Sequence, residues 1–259
     1  MTDILAALHR FFSRPSGLFV LGIPHSGTSL ITAMLDSHRD LAAIERETGV
    51  FFIAPKKIGE TLAGFDQFAA DKGARRWVEK TPDHLLHMPT LRAHCPRHPV
   101  ILMLRDDRDV VASLKSRFED FDKAMETWRR SAAAAVDLLE RGNDPCLVPL
   151  CHERLVEAPE HVLRHLCRHL SLAFDPAMLD FHRTPRHWYA STTHKPPGVS
   201  QQHHPQNRNW QINQPLFDSR GRGRRDLTAE EQRRLEQGET GELLAKMTLA
   251  RSRVLERAW

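Results

Sequence analysis

The 259-residue chain has four cysteines, Cys95, Cys146, Cys151 and Cys167, and no C-x-x-C pair. Their number and spacing match neither a disulfide framework nor a zinc site, so they read as reduced, buried thiols. No apolar run approaches the roughly 20 residues that span a bilayer. The opening stretch MTDILAALHRFFSRPSG lacks the long apolar core and the small-residue cleavage site of a secretory leader. Ile4, Leu5, Leu8, Phe11 and Phe12 instead mark one face of a short N-terminal helix over 1–17. A cytoplasmic protein with no membrane partner is expected. Strong charge is also missing: the net charge is +4 and the pI near 9.0. That suits an anionic small ligand, and without a basic helical stripe or stacking aromatics it gives no nucleic-acid partner. There are no internal repeats. With 41% apolar and 27% charged residues, the length supports one α/β domain with a sizeable core.

The most informative absence is a single lysine. Residues 18–35 read LFVLGIPHSGTSLITAML. Leu18, Phe19, Val20 and Leu21 form a buried strand, and Leu30, Ile31, Met34 and Leu35 recur at helical spacing. The turn between them fits the phosphate-binding pattern G-x-x-x-x-G-K-[ST] at Gly22, Gly27 and Ser29, but Thr28 stands in the lysine position. In nucleoside triphosphate enzymes that lysine reaches the β/γ-phosphates. Loop N–H groups and a helix N-terminus still favour an anion. The expected ligand therefore carries a shorter 5′ group than a triphosphate and needs no metal.

Further along, Leu41–Ile44 predicts a short strand, Trp77-Val78-Glu79 another, Pro99 to Leu104 a fully apolar one, and Cys146 to Leu150 the last. Helices are expected from about Val110, over 122–141 and after Leu155. Alternating strands and helices predict a P-loop NTPase-like three-layer α/β fold, with a central parallel sheet flanked by helices. Gly27, Lys80 and Arg105 each follow a strand, where ligands of such sheets bind. Residues 182–225, rich in Pro, His, Gln, Asn and Arg, read as an irregular lid or substrate loop within the single 1–259 domain. The pattern Thr228-Ala229-Glu230-Glu231 opens a final helix within 226–259.

Three segments stand together: PHSGTS at 24–29, EKTPDH at 79–84 and LRDDRDVVAS at 104–113. In this order they resemble the sulfotransferase family that uses 3′-phosphoadenosine 5′-phosphosulfate (PAPS), in its bacterial branch, which is similar to tyrosylprotein sulfotransferases. MLDSHRDL (34–41), ERETGVFF (45–52) and residues 152–181 extend the resemblance, and GRGRRDLTAEE (221–231) resembles the terminal nucleotide loop. The resemblance implies sulfuryl transfer from PAPS to a hydroxyl or amine, releasing adenosine 3′,5′-bisphosphate (PAP). The acceptor is expected to be a small molecule, with a peptide or glycan left open. His25, Ser26, Gly27, Thr28 and Ser29 would hold the 5′-phosphosulfate. Arg105 and Ser113 would hold the 3′-phosphate, with Arg222 and Gly223 closing over it. Lys80 would stand beside the transferred group, where a cation stabilises charge on the bridging oxygen.

Glu47 is the candidate general base, in a context that relatives share. Glu45, two residues away, His84 and His38 are its rivals. His25 stands where relatives carry Arg or Lys, and is a candidate for both binding and catalysis. Its imidazole is mostly neutral near pH 7 unless an anion raises its pKa. Asp107 replaces a proline of the family pattern and is expected only to loosen the turn. His182, His187, His194, His203 and His204 lack ligand spacing, so no metal is expected. Two other functions remain open: a P-loop small-molecule kinase, which Thr28 argues against, and a non-catalytic nucleotide-binding relative.

Overall fold

The computed structural model describes residues 15–189 and 204–256. The fold is built on β1 (Gly17–Gly22), all six residues of which are buried. A strand that is apolar on both faces can exist only between two layers. β1 lies at the centre of a five-stranded, all-parallel sheet of order β2-β3-β1-β4-β5, with β2 at Leu41–Ala43, β3 at Arg76–Lys80, β4 at Val100–Leu104 and β5 at Leu147–Cys151. Alternation sends Phe19 and Leu21 to one core and Leu18 and Val20 to the other.

The first core takes Trp77, Leu102 and Leu104 from the sheet and Phe65 from α2 (Ile58–Asp71). It also takes Val110 and Leu114 from α4 (Asp107–Phe118) and Trp128 from α5 (Phe121–Arg141). The second takes Ile31, Met34 and Leu35 from α1 (Thr28–Asp36), and Val162, Leu163 and Leu166 from α7 (Pro159–His169). Burying each large apolar side chain contributes about 1.5–3 kcal/mol, so the two faces together fix the three-layer arrangement. α3 (Met88–His94) and α6 (His152–Glu157) complete the layers beside the sheet.

Several boundaries differ from the sequence expectation. α4 begins at Asp107 rather than near Val110, because Asp106 caps it, accepting from the N–H groups of Arg108 (3.1 Å) and Asp109 (3.3 Å). Gly17 already belongs to β1, and residues 1–14, where the N-terminal helix is expected, lie outside the described residues. The segment 182–225 is partly helical, with α8 at His204–Ile212 and α9 at Arg222–Asp226. The amides that suggested a loop are tertiary partners. Asn209 bonds the N–H and C=O of Tyr189, and Asn213 those of Arg186. His194, His203 and the side chain of His204 lie outside the described residues.

The single C-terminal helix is two: α10 (Ala229–Leu235), opened by the Thr228–Glu231 capping box, and α11 (Gly238–Glu256). The break falls at Gly238, whose φ of 55° leaves the right-handed helix. Among the described residues, no helix is long and apolar enough to cross a membrane.

Asp107 does more than loosen a turn. It is 2% exposed, and its Oδ1 accepts the indole N–H of Trp128 at 2.8 Å. Burial pushes its carboxyl up to about 7, against the opposing Trp128 bond. An acid whose folded pKa is raised binds more protons folded than unfolded between about pH 4 and 7, so stability falls as pH rises through that window. Asp107→Asn keeps the Trp128 acceptor and removes the ionisation. It is expected to raise the melting temperature at pH 8 and to change it little at pH 4. A loss of equal size at both pH values contradicts this.

Candidate active site

The C-terminal ends of β1, β3 and β4 converge on a cleft of about 730 Å³. The β1 end supplies the loop at 22–29. Gly27 caps α1 in the left-handed region (φ 100°), and a Cβ there would lie 2.7 Å from Nδ1 of His152. Glycine is therefore required both for the turn and for the packing. At the start of α1 the N–H groups of Thr28, Ser29 and Leu30 have no intrahelical acceptor. All three residues line the cleft. Ser26 is fully buried, and its Oγ has no hydrogen-bond partner among the described residues. An anion would satisfy these donors.

His25 takes a left-handed backbone (φ 71°), uncommon for a residue other than glycine. Its Nδ1 lies 2.7 Å from Ser113 Oγ, and its carbonyl accepts from Arg105 Nη1 at 3.3 Å. The loop is thus tied to the β4 exit. Arg105 is 6% exposed and donates from Nη2 to the carbonyl of Ser219 (2.8 Å). Its Nε is buried without a partner. Burial lowers its pKa, and Asp109 and Glu153 oppose the shift. Arg222 Nη1 donates to Ser113 Oγ at 3.4 Å. Asp109 accepts the N–H groups of Gly221 and Gly223, both at 2.8 Å, pinning the 221–223 turn to α4. Gly223 allows this approach, since a Cβ would stand 2.4 Å from Cβ of Arg108. His25, Arg105, Ser113 and Arg222 therefore form one cationic corner.

The β3 end carries Glu79, Lys80 and Thr81. Glu79 is fully buried, and its Oε1 accepts from the hydroxyls of Thr48 and Thr81, both at 2.7 Å, and from Thr48 N at 3.3 Å. Its Oε2 lies 3.1 Å from Nδ1 of buried His84. Burial raises the Glu79 pKa; His84 and the hydrogen bonds outweigh it, and the carboxyl sits below its ordinary range. Thr81 Oγ1 in turn accepts from Thr48 N (3.0 Å) and Gly49 N (3.2 Å). Lys80 points the other way. Its Nζ donates to Glu47 Oε1 at 2.5 Å and to the hydroxyl of Tyr189 at 3.1 Å, and the residue is 3% exposed.

Glu47 also pairs with Arg208. Burial raises the Glu47 pKa, while Lys80 and then Arg208 lower it, to about 2. In this arrangement Glu47 is a counter-ion more than a base. Its rivals lie elsewhere: Glu45 pairs with Lys72 at an exposed site, His84 is sealed under Glu79, and His38 bonds the carbonyl of Ala173. Among the described residues no group of His, Cys, Asp or Glu gathers to hold a metal.

The sequence reading missed Tyr189, Arg208, Glu79, Asp109, His152 and Ser219. Tyr189 and Arg208 both lie in the 182–225 segment read as irregular, where no periodicity marks a buried face. Glu79 and Asp109 were inside quoted motifs, but only the fold shows them as anchors. Burial holds His152 neutral, with its pKa pushed down to about 3.

A model of the sulfotransferase family matches residues 52–176, which include Lys80, Arg105 and Ser113. That segment, just under half of the chain, is similar to the sulfotransferase family. It is 26% identical over 197 residues to a putative protein-tyrosine sulfotransferase of Caenorhabditis briggsae, covering 64% of this chain and 69% of that protein. It is also 26% identical to protein-tyrosine sulfotransferase 1 of Danio rerio, over 62% of this chain and 55% of the relative. Nodulation protein NoeE of Sinorhizobium fredii is 25% identical over 63% of this chain and 51% of its own length. The chain thus spans about half to two thirds of the length of the curated relatives it matches. Its fold is that of mouse sulfotransferase SULT7A1, solved in complex with PAP, at a TM-score of 0.58 and 15% identity over 94% of this chain and 93% of that one. The sulfotransferase domain of the Synechococcus olefin synthase gives a TM-score of 0.51 at 19% identity, over 65% of this chain and 78% of that one. The family match begins after the 22–29 loop and Glu47, whose placement rests on the geometry above.

Arg208→Ala removes one of the two cations beside Glu47. Its carboxyl pKa is expected to rise by about 1 unit or more, read by carbon NMR with Glu47→Gln as the assignment control. An unchanged titration contradicts the pairing.

Proposed function

We propose that this protein moves a sulfuryl group from PAPS to a hydroxyl or amine of an acceptor and releases PAP. The observation that carries the reading is the division of cations. The loop at 22–29 has no lysine, while Lys80 stands at the neighbouring strand end and Arg105 at the other neighbour. P-loop enzymes that bind a triphosphate carry a cation inside the loop. A phosphosulfate with a separate 3′-phosphate needs one beside the loop and one beyond it.

The residues fit such a donor. Loop N–H groups and buried Ser26 Oγ suit the 5′-phosphate, and the corner of His25, Arg105, Ser113 and Arg222 suits the 3′-phosphate. Bound there, PAPS supplies an activated sulfur whose bond to the bridging phosphate oxygen breaks as the acceptor's bond forms. Lys80 offsets the charge that develops on that oxygen. Whatever cation strength Lys80 gives to the donor it withdraws from Glu47, so the Glu47 pKa rises toward the ordinary carboxylate range. Glu47 can then take the acceptor's proton. The ion pair is on this reading a resting state that donor binding divides. The acceptor itself is a small molecule, a peptide or a glycan with a free hydroxyl or amine beside Glu47.

Radiolabelled PAPS offered with a mixed panel of phenols, alcohols and amines tests this. Label is expected to reach an acceptor, and Lys80→Met and Glu47→Gln are each expected to slow transfer about 100-fold. Transfer at the wild-type rate in both variants contradicts the assignment.

A further inference from the structure

Tyr189 is the sole tyrosine of the chain. Its hydroxyl lies inside the group of side chains just assigned to sulfuryl transfer. The oxygen accepts from Lys80 Nζ at 3.1 Å and from Arg208 Nη2 at 2.6 Å, and lies 3.0 Å from Ser29 Oγ of the phosphate loop. Those contacts are the ones an acceptor hydroxyl would make: the cation of the breaking bond, the loop that holds the donor, and a second cation. The residue is also held from both sides. Asn209 bonds its N–H and its carbonyl, and the Arg208 guanidinium stacks 3.7 Å from the ring centroid. The hydroxyl is thus fixed against Ser29 and Arg208, which line the cleft.

We propose that Tyr189 is itself a sulfuryl acceptor, so that the protein sulfates its own tyrosine. The inference rests on the function proposed above. In the step, a bond forms between Tyr189 Oη and the PAPS sulfur while the bond from sulfur to the bridging phosphate oxygen breaks. The electron pair of that bond leaves with PAP, and the phenolic proton passes to Glu47, the carboxylate that shares Lys80 and Arg208 with the phenol. Electrostatics favours the nucleophile: burial raises the Tyr189 pKa, but Lys80 and Arg208 outweigh it and hold the phenol below its ordinary value. They suit the product as well, since the new ester's negative charge stays between the same two cations. An external acceptor must sit where this ester forms, so transfer to an added phenol slows as the ester accumulates.

Intact-protein mass spectrometry at neutral pH after incubation with PAPS reads the step directly. The wild-type chain is expected to gain one SO3 unit, mapped to the Tyr189 peptide, with PAPS but not with PAP. Tyr189→Phe is expected to gain none, which also excludes Ser29 as the labelled oxygen, and Lys80→Met to gain it about 100-fold more slowly. A wild-type protein that sulfates an added phenol, or releases PAP from PAPS, while Tyr189 stays unmodified overturns the inference and leaves the proposed function standing. A protein that neither binds nor consumes PAPS overturns both.

Discussion

The buried carboxylate of Glu79 is the interaction on which the cleft depends. A charge with no exposure is costly unless every lone pair is used. Here Thr48 and Thr81 hydrogen-bond one oxygen and His84 faces the other at 3.1 Å, and the consequence is geometric. The turn after Glu47 is fastened to the end of β3 through Thr48. Strand alternation then sends the next residue, Lys80, to the opposite side, toward Glu47. One buried anion thus sets the separation between two groups that lie outside it. Removing it would leave His84 without its counter-ion beside Phe19 and Phe51, and the Thr48 and Thr81 hydroxyls without the acceptor they share.

The same economy of position governs the missing lysine. The loop at 22–29 keeps its glycine turn and its helix N-terminus, and Thr28 fills the lysine's place. Cations enter instead from the two strands that flank β1. Lys80 comes from β3 and Arg105 from just beyond β4, so a parallel sheet with β1 at its centre puts one on each side of the loop. His25 joins the sides, its left-handed backbone placing the ring on Ser113 and its carbonyl on Arg105. Its substitution for a permanent cation leaves the charge of that corner to Arg105 and Arg222.

The parallel sheet, its strands and the order of the loop motifs were legible in the sequence, because unbroken apolar runs such as Val100 to Leu104 have one reading in an alternating α/β pattern. Motif context singled out Glu47, Lys80, Arg105 and Ser113, and the fold brings Lys80 onto Glu47 and both Arg105 and Ser113 onto His25. Register decided what the sequence left open: Glu45 and Glu47 are two residues apart, and only packing shows one on Lys72 and the other on Lys80. Helix α8 was invisible because asparagine is a poor helix former, and the Asn209 amide holds another segment's backbone. Asp107 was misread because a carboxylate in a motif suggests a surface charge, whereas the fold buries it under Trp128.

A phosphate loop with its cations on the two flanking strands should prefer a phosphosulfate nucleotide to a triphosphate. Calorimetric titration of the protein with PAP, and separately with ATP and Mg²⁺, tests it most directly. PAP is expected to bind at least about 100-fold tighter than ATP, a difference of about 2.7 kcal/mol. Equal affinities, or Mg²⁺-dependent binding of ATP with none of PAP, would contradict it.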